Sequence, residues 1–136
     1  MTIDHDDDLA GLRLAGRAVA DARDAMLAAV APGITTAGLD AIARDVLRDH
    51  GARAAPALAY GFPGTACISV NDEAAHGVPS PRKVLHEGDL VNVDVSAELD
   101  GYWADTGASA PVGPPESIDP VARRLVAATR EAQGAP

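Results

Sequence analysis

The chain is 136 residues long, with 20 acidic and 11 basic side chains for a formal net charge of −9, 47% hydrophobic residues, one Cys and four aromatic rings. That length holds one compact domain, and the acidic balance excludes a surface built to neutralise nucleic-acid phosphates. A lone Cys makes no intrachain disulfide, no apolar run approaches the roughly 18 residues of a membrane span, and Met1 is not followed by a basic stretch and an apolar core, so the expected setting is the reducing cytoplasm with no membrane partner.

With so few rings, the core must be built mainly from Ala, Val and Leu. Asp6-Asp7-Asp8 marks the start of a first helix, because carboxylates there complement the partial positive charge and accept free N–H groups. Leu12, Ala15, Val19, Ala22, Met26 and Val30 follow at helical intervals until Pro32-Gly33 ends the pattern. Thr35 or Thr36 can cap a second helix whose apolar stripe is Leu39, Ile42, Ala43, Val46 and Leu47, with Gly51 as its stop. The Ala- and Pro-rich stretch 52–64 reads as connector.

From Ala66 the period changes to two, with Ala66, Ile68 and Val70 alternating with Cys67, Ser69 and Asn71 as in a half-buried strand. Residues 71–83, holding Gly77, Pro79 and Pro81, read as loop. Val91, Val93 and Val95 then alternate with Asn92, Asp94 and Ser96, and Asp100-Gly101 between two strand-like runs signals a hairpin with a type I′ turn. Residues 102–110 should return antiparallel. Beyond the Pro-rich loop 111–115, Ser117 or Asp119 followed by Pro120 opens a third helix carrying Val121, Leu125 and Ala128.

A two-residue turn at Asp100-Gly101 makes opposed hairpin positions sum to 201, so Asp105 faces Ser96, and Asp94 lies on the same face, diagonal to Asp105 at roughly 7 Å. Like charges that close raise each other's pKa and call for something positive between them. A divalent cation or a pair, Mn, Fe(II), Co, Zn or Mg, suits such hard oxygen donors, although by spacing alone two solvated acids on a wet sheet face are the commoner arrangement. His76 lies in a loop whose Gly and Pro neighbours can aim its ring at a metal or a reacting carbonyl, or leave it facing solvent. His5, His50 and His86 read as surface residues. Cys67 has no basic neighbour and reads as a small buried side chain, while Tyr102 and Trp103 read as packing or pocket-wall residues.

The segments Tyr60-Gly61-Phe62-Pro63, Cys67-Ile68-Ser69-Val70-Asn71, His76-Gly77-Val78-Pro79, Gly88 to Val95 and Asp100-Gly101-Tyr102-Trp103-Ala104-Asp105-Thr106 resemble, in order and spacing, the type I methionine aminopeptidases. The resemblance runs over nearly the whole chain, the two N-terminal helices included, and implies half of a pita-bread fold of the α+β class. In it an antiparallel hairpin and strand are covered by two amphipathic helices, with residues 1–136 a single partial metallopeptidase domain cut in a third helix. It further implies that Asp94 and Asp105 ligate a two-metal centre of Co, Mn, Fe(II) or Zn, and that His76 hydrogen-bonds the substrate near its scissile peptide. Phe62 and Cys67 are implied as apolar walls for a methionine side chain. The implied reaction removes the N-terminal methionine of nascent proteins by metal-activated water.

Two departures from the family pattern stand out. The family commonly places Tyr-His-Gly before its aromatic-Pro pair, whereas Ala59-Tyr60-Gly61-Phe62-Pro63 has neither that Tyr nor that His. The family's remaining ligands, one His and two Glu, come from a second half. Here no His follows His86, and Glu116 and Glu131 fall in a Pro loop and on the last helix. Two Asp supply about four of the ten or so contacts that two ions want, so the chain alone is expected to bind metal weakly, with little or no turnover. An open sheet edge invites a separate C-terminal half or self-association. The alternatives are a noncatalytic peptide- or protein-binding half-fold or decayed fragment, or a related dipeptidase or proline peptidase.

Overall fold

A computed structural model describes residues 3–134, in which helix α1 spans Asp6–Ala29 and α2 spans Thr36–Asp49. Both begin as the sequence predicts. Asp8 closes a capping box on His5, and the Thr35 hydroxyl accepts from the Gly38 amide at 3.0 Å. The alanines of α1 do what the shortage of rings demands: Ala15, Ala18 and Ala22 are fully buried, letting the helix approach the sheet closely.

The stretch 52–64 is not a plain connector. It holds a short strand, β1 (Arg53–Ala54), and a short helix, α3 (Ala55–Tyr60), followed by β2 (Cys67–Val70). Six residues are too few to show a 3.6-residue period, yet the boundary signals are present: Pro56 sits in the first turn, and Gly61 ends the helix in the left-handed conformation at φ 69°. The hairpin follows as β3 (Leu90–Leu99) and β4 (Tyr102–Pro111), with Asp100 and Gly101 both at positive φ, as a type I′ turn requires. Leu99 pairs with Tyr102 and Ser96 with Asp105, the predicted register.

All pairings are antiparallel and centre on β3. One edge of β3 carries β4; the other carries β2 opposite residues 91–94 and β1 opposite residues 97–98. Helix α3 therefore bridges the gap beside Val95 and Ser96. Val91, Val93, Val95 and Ala97 face α1 on the back of the sheet, and α2 packs mainly on α1, completing a core with Met26, Leu39 and Leu47. Tyr102 also faces back, its ring filling the space beside Gly11 and its hydroxyl donating to Asp8 at 3.1 Å. Strand β2 is buried on both faces, not half-buried, because the 71–83 loop folds over Ser69.

The last helix, α4 (Pro120–Ala132), is capped by Asp119, not Ser117, and leaves Val121 and Leu125 exposed. Among the described residues no helix is long and apolar enough to cross a membrane.

The entry to β2 hangs on one carboxylate. Asp40, buried on α2, accepts from the Thr65 and Ala66 amides at 2.6 and 2.9 Å. Asp40→Ala strands two buried donors and is expected to cost about 2–4 kcal/mol in urea unfolding; a loss below about 0.5 kcal/mol would show that β2 is held some other way.

Candidate metal centre

Asp94 lies in the middle of β3 and Asp105 on β4. Because alternate side chains share a face, both project from the front of the sheet with Asn92, Ser96, Trp103 and Ser109. Behind them is the valine layer, and Asn92 Nδ2 donates to Ser109 Oγ at 3.0 Å across the strands, pinning the register two residue pairs from Asp94. The two carboxyl groups lie near enough for Asp105 to act on the ionisation of Asp94. Burial first, and then the neighbouring Asp105 charge, push the Asp94 carboxyl up to about 6, with His76 acting in the opposite direction. Burial is thus the larger cause, ahead of the like-charge repulsion that spacing suggests.

Cys67 pairs directly with Asp94 across β2 and β3. It is buried, and its thiol is pushed up by burial and then by the Asp94 charge, so at neutral pH it stays a thiol and is no nucleophile.

His76 sits at φ 56°, left-handed and uncommon for a side chain with a Cβ. Its neighbour explains how that is maintained. Gly77 lies flat on β2: its carbonyl accepts from the Ile68 amide at 2.8 Å and its amide donates to Ser69 Oγ at 3.1 Å. The loop's far side is held by Glu73, which accepts from the Val70 amide at 2.8 Å and pairs with Lys83. His76 is exposed, on a loop that is itself fixed, near enough to Asp94 to favour its ionised form. Of the other histidines, His50 pairs with Asp21 at 3.1 Å, His86 with Asp89 at 3.7 Å, and His5 caps α1; all lie away from the acid pair.

Phe62 and Cys67 converge on Tyr60. The Phe62 ring meets it edge to face, centroids 6.2 Å apart, and its phenol lies beside the Cys67 thiol. Tyr60, with Trp103, Ser96 and Asp105, lines an open cleft that neither Phe62 nor Cys67 reaches. Reasoning from sequence gives Tyr60 no role; Pro56 and Gly61, read as the ends of a helix, would have placed it beside the hairpin.

The donor chemistry suits a hard divalent cation. Two carboxylates meet on one face, one of them destabilised as an anion until positive charge arrives. They form a partial set: among the described residues no group of three or more His, Cys, Asp or Glu is arranged to hold a metal ion.

Residues 10–135 match the model of metallopeptidase family M24. Methionine aminopeptidase 2 of Bacillus subtilis (strain 168) is 51% identical over 113 residues, which are 83% of this chain and 45% of that protein. The crystal structure of methionine aminopeptidase from Thermotoga maritima superposes with a TM-score of 0.89 at 30% identity, covering 96% of this chain and 51% of that one. The methionine aminopeptidase from Rickettsia prowazekii superposes with a TM-score of 0.87 at 33% identity, covering 97% and 52%. The chain spans about half the length of the relatives it matches. Its α+β architecture is correspondingly about half of the pita-bread fold those structures share. With a hairpin that brings two carboxylates together and a family match along most of its length, the chain belongs to metallopeptidase family M24.

Proposed function

We propose that this chain supplies the acid pair and the substrate-facing histidine of a metal-dependent aminopeptidase that removes the N-terminal methionine of nascent proteins in the cytoplasm. The observation carrying this reading is the convergence of Asp94 and Asp105 on one sheet face, near enough for the Asp105 charge to raise Asp94. Asp94 and Asp105 would hold divalent ions, two in a complete site, of Co, Mn, Fe(II) or Zn. Bound there, the ions would supply Lewis-acid polarisation of the scissile carbonyl and activation of water.

The chain's own residues do the rest of the positioning. His76, clamped through Gly77 onto β2, presents a ring that can donate a hydrogen bond to the substrate near the scissile peptide. Phe62 and Cys67 contribute to the apolar side of the site by backing Tyr60. The donors that two carboxylates leave unfilled, a His and two Glu by resemblance to the methionine aminopeptidases, come from a second segment, in the same polypeptide or in a partner chain.

A fluorogenic Met-amide assay tests this. The chain by itself, with Mn, Fe(II) or Co, is expected to bind metal weakly and turn over little or nothing, and activity is expected once a C-terminal half carrying the His and two Glu is added. Turnover by the isolated monomer would show that the donor count is wrong. Metal-independent peptide binding with no activity in any reconstitution would favour a noncatalytic binding role.

A further inference from the structure

The loop 71–83 stands on three anchors that divide it unevenly. Its far limb belongs to the body of the fold. There the fully buried Thr36, in the first turn of α2, accepts from the Ser80 amide at 2.9 Å and donates back to the Ser80 carbonyl at 3.2 Å. The Thr36 amide also donates to the Lys83 carbonyl at 2.9 Å. Gly77, flat on β2, is the second anchor. Glu73 is the third: one of its carboxylate oxygens accepts from the Val70 amide and the other takes the ammonium of Lys83. Between Glu73 and Gly77 run Ala74, Ala75 and His76, all exposed, and among the described residues their groups find no hydrogen-bond partner. A three-residue span held only at its ends takes its dihedrals from where those ends are. His76 at φ 56° is in the left-handed region that a residue with a Cβ leaves when it is free to, so the placing of Glu73 against Gly77 is what keeps it there.

We propose that Lys83 and Glu73 are positioning residues whose ion pair closes this loop and thereby aims His76 at the acid pair. Lys83 is the link to the rest of the molecule, because its backbone is tied to α2 while its side chain reaches ten positions back along the chain. It is also the only Lys present. The two side chains are 29% and 36% exposed, so the pair is partly shielded from water and is screened less than one on the open surface. Of the loop's groups only His76 acts on the Asp94 carboxyl, so whatever Lys83 and Glu73 do to the site passes through the His76 ring. The inference rests on the proposed function only for what that ring serves; that the pair fixes the span 74–76 is independent of it.

NMR relaxation of the metal-free chain tests the clamp. Backbone order parameters over 74–76 are expected near the rigid value of about 0.85 in the parent and below about 0.6 in Lys83→Met, which keeps the stem and removes the charge. Lys83→Arg should restore them. Glu73→Gln, still able to accept from the Val70 amide, should act like Lys83→Met and shift the Lys83 side-chain resonance, the single lysine signal in the spectrum. Protection of the Ile68 amide should stay at the parent's level throughout, since Gly77 remains on β2. Added Mn then reads where the ring points, because paramagnetic broadening falls steeply with distance. The His76 ring should broaden in the parent and severalfold less in Lys83→Met, with the Asp94 and Asp105 amides broadened alike in both. Parental order over 74–76 in Lys83→Met overturns the proposal, as does failure of Lys83→Arg to restore it. Loss of Ile68 protection in step with the loss of order overturns it too, by making the pair a general prop of the fold. Equal broadening of His76 in the parent and Lys83→Met denies that the pair aims the ring. Absence of broadening at Asp94 and Asp105 in the parent overturns the metal centre instead, and the order parameters still decide whether the pair fixes His76.

Discussion

Replacing both Asp94 and Asp105 by Asn is expected to abolish Mn binding in calorimetry, and Asp94→Asn alone is expected to make the metal-free chain more stable than its parent at pH 7. Both effects have one cause. Folding takes Asp94 from water into a half-buried position beside a second carboxyl and pushes it up from 3.8 to about 6. Between roughly pH 4 and pH 6 the folded chain therefore holds a proton that the unfolded chain has lost, and stability falls as the pH rises through that window. Above it the destabilisation is fully present, on the order of 1–2 kcal/mol, and an Asn that cannot ionise escapes it.

Other carboxyls titrate in the opposite sense. Asp8, Asp89 and Glu98 are held below the usual range by hydrogen bonds and lend stability that is lost as the pH falls. They are common to parent and variant, so the informative quantity is the difference between the two denaturation curves, taken at pH 4 and again at pH 7. Added Mn should reverse that difference at pH 7 by stabilising the parent, by about 2.7 kcal/mol at a hundredfold excess over Kd. Equal Mn affinity in the double variant would deny the site, and a parent that gains on Asp94→Asn as the pH rises from 4 to 7 would deny the burial and mutual repulsion that raise Asp94.

That the two acids meet was legible because two independent periodicities agree. Strand alternation assigns Asp94 a face, the Asp100-Gly101 turn sets the register, and together they put Asp105 on the same face. Nothing longer than a two-residue turn had to be guessed. The burial of Asp94 was not legible, since sequence spacing assigns a face of the sheet but not what covers it. The position of β2 was also beyond the sequence. Its alternating pattern is that of a half-buried strand, and what covers its polar face is a loop whose path depends on contacts with β2, such as Ser69 with Gly77, and on the hold of Thr36 on Ser80, 44 positions away.

Helix α3 shows a different limit. Half of its six residues are Ala, which packs anywhere and marks no face, so the place of Tyr60 beside the hairpin emerges only once β1 and β2 are seen to pair with the same edge of β3 and leave α3 between them. In α4 the boundaries were readable from Asp119 and Pro120, while the stripe ending in exposed Leu125 says only that the helix has an apolar side.

Gly77→Ala is expected to cost about 3 kcal/mol or more and to release the loop that carries His76. A Cβ at position 77 would stand 2.1 Å from the Ile68 carbonyl oxygen and 2.9 Å from the Ser69 Cα, both backbone atoms of a strand buried on its two faces. Neither can step aside, so the loop must, and in doing so it gives up the Ile68-to-Gly77 and Gly77-to-Ser69 hydrogen bonds. Ser69→Ala serves as the milder comparison, since it removes one acceptor without adding an atom and should cost about 1–2 kcal/mol. Denaturant unfolding gives the two losses, and amide exchange at Ile68 shows where they fall: the Ile68 amide should lose its protection in Gly77→Ala well before the hairpin amides do. His76 at φ 56° has no reason of its own to hold that conformation. If Gly77→Ala unfolds with the parent's midpoint and Ile68 stays protected, the ring of His76 is placed by something other than the contact of Gly77 with β2, and its orientation toward a substrate would have to come from the substrate itself.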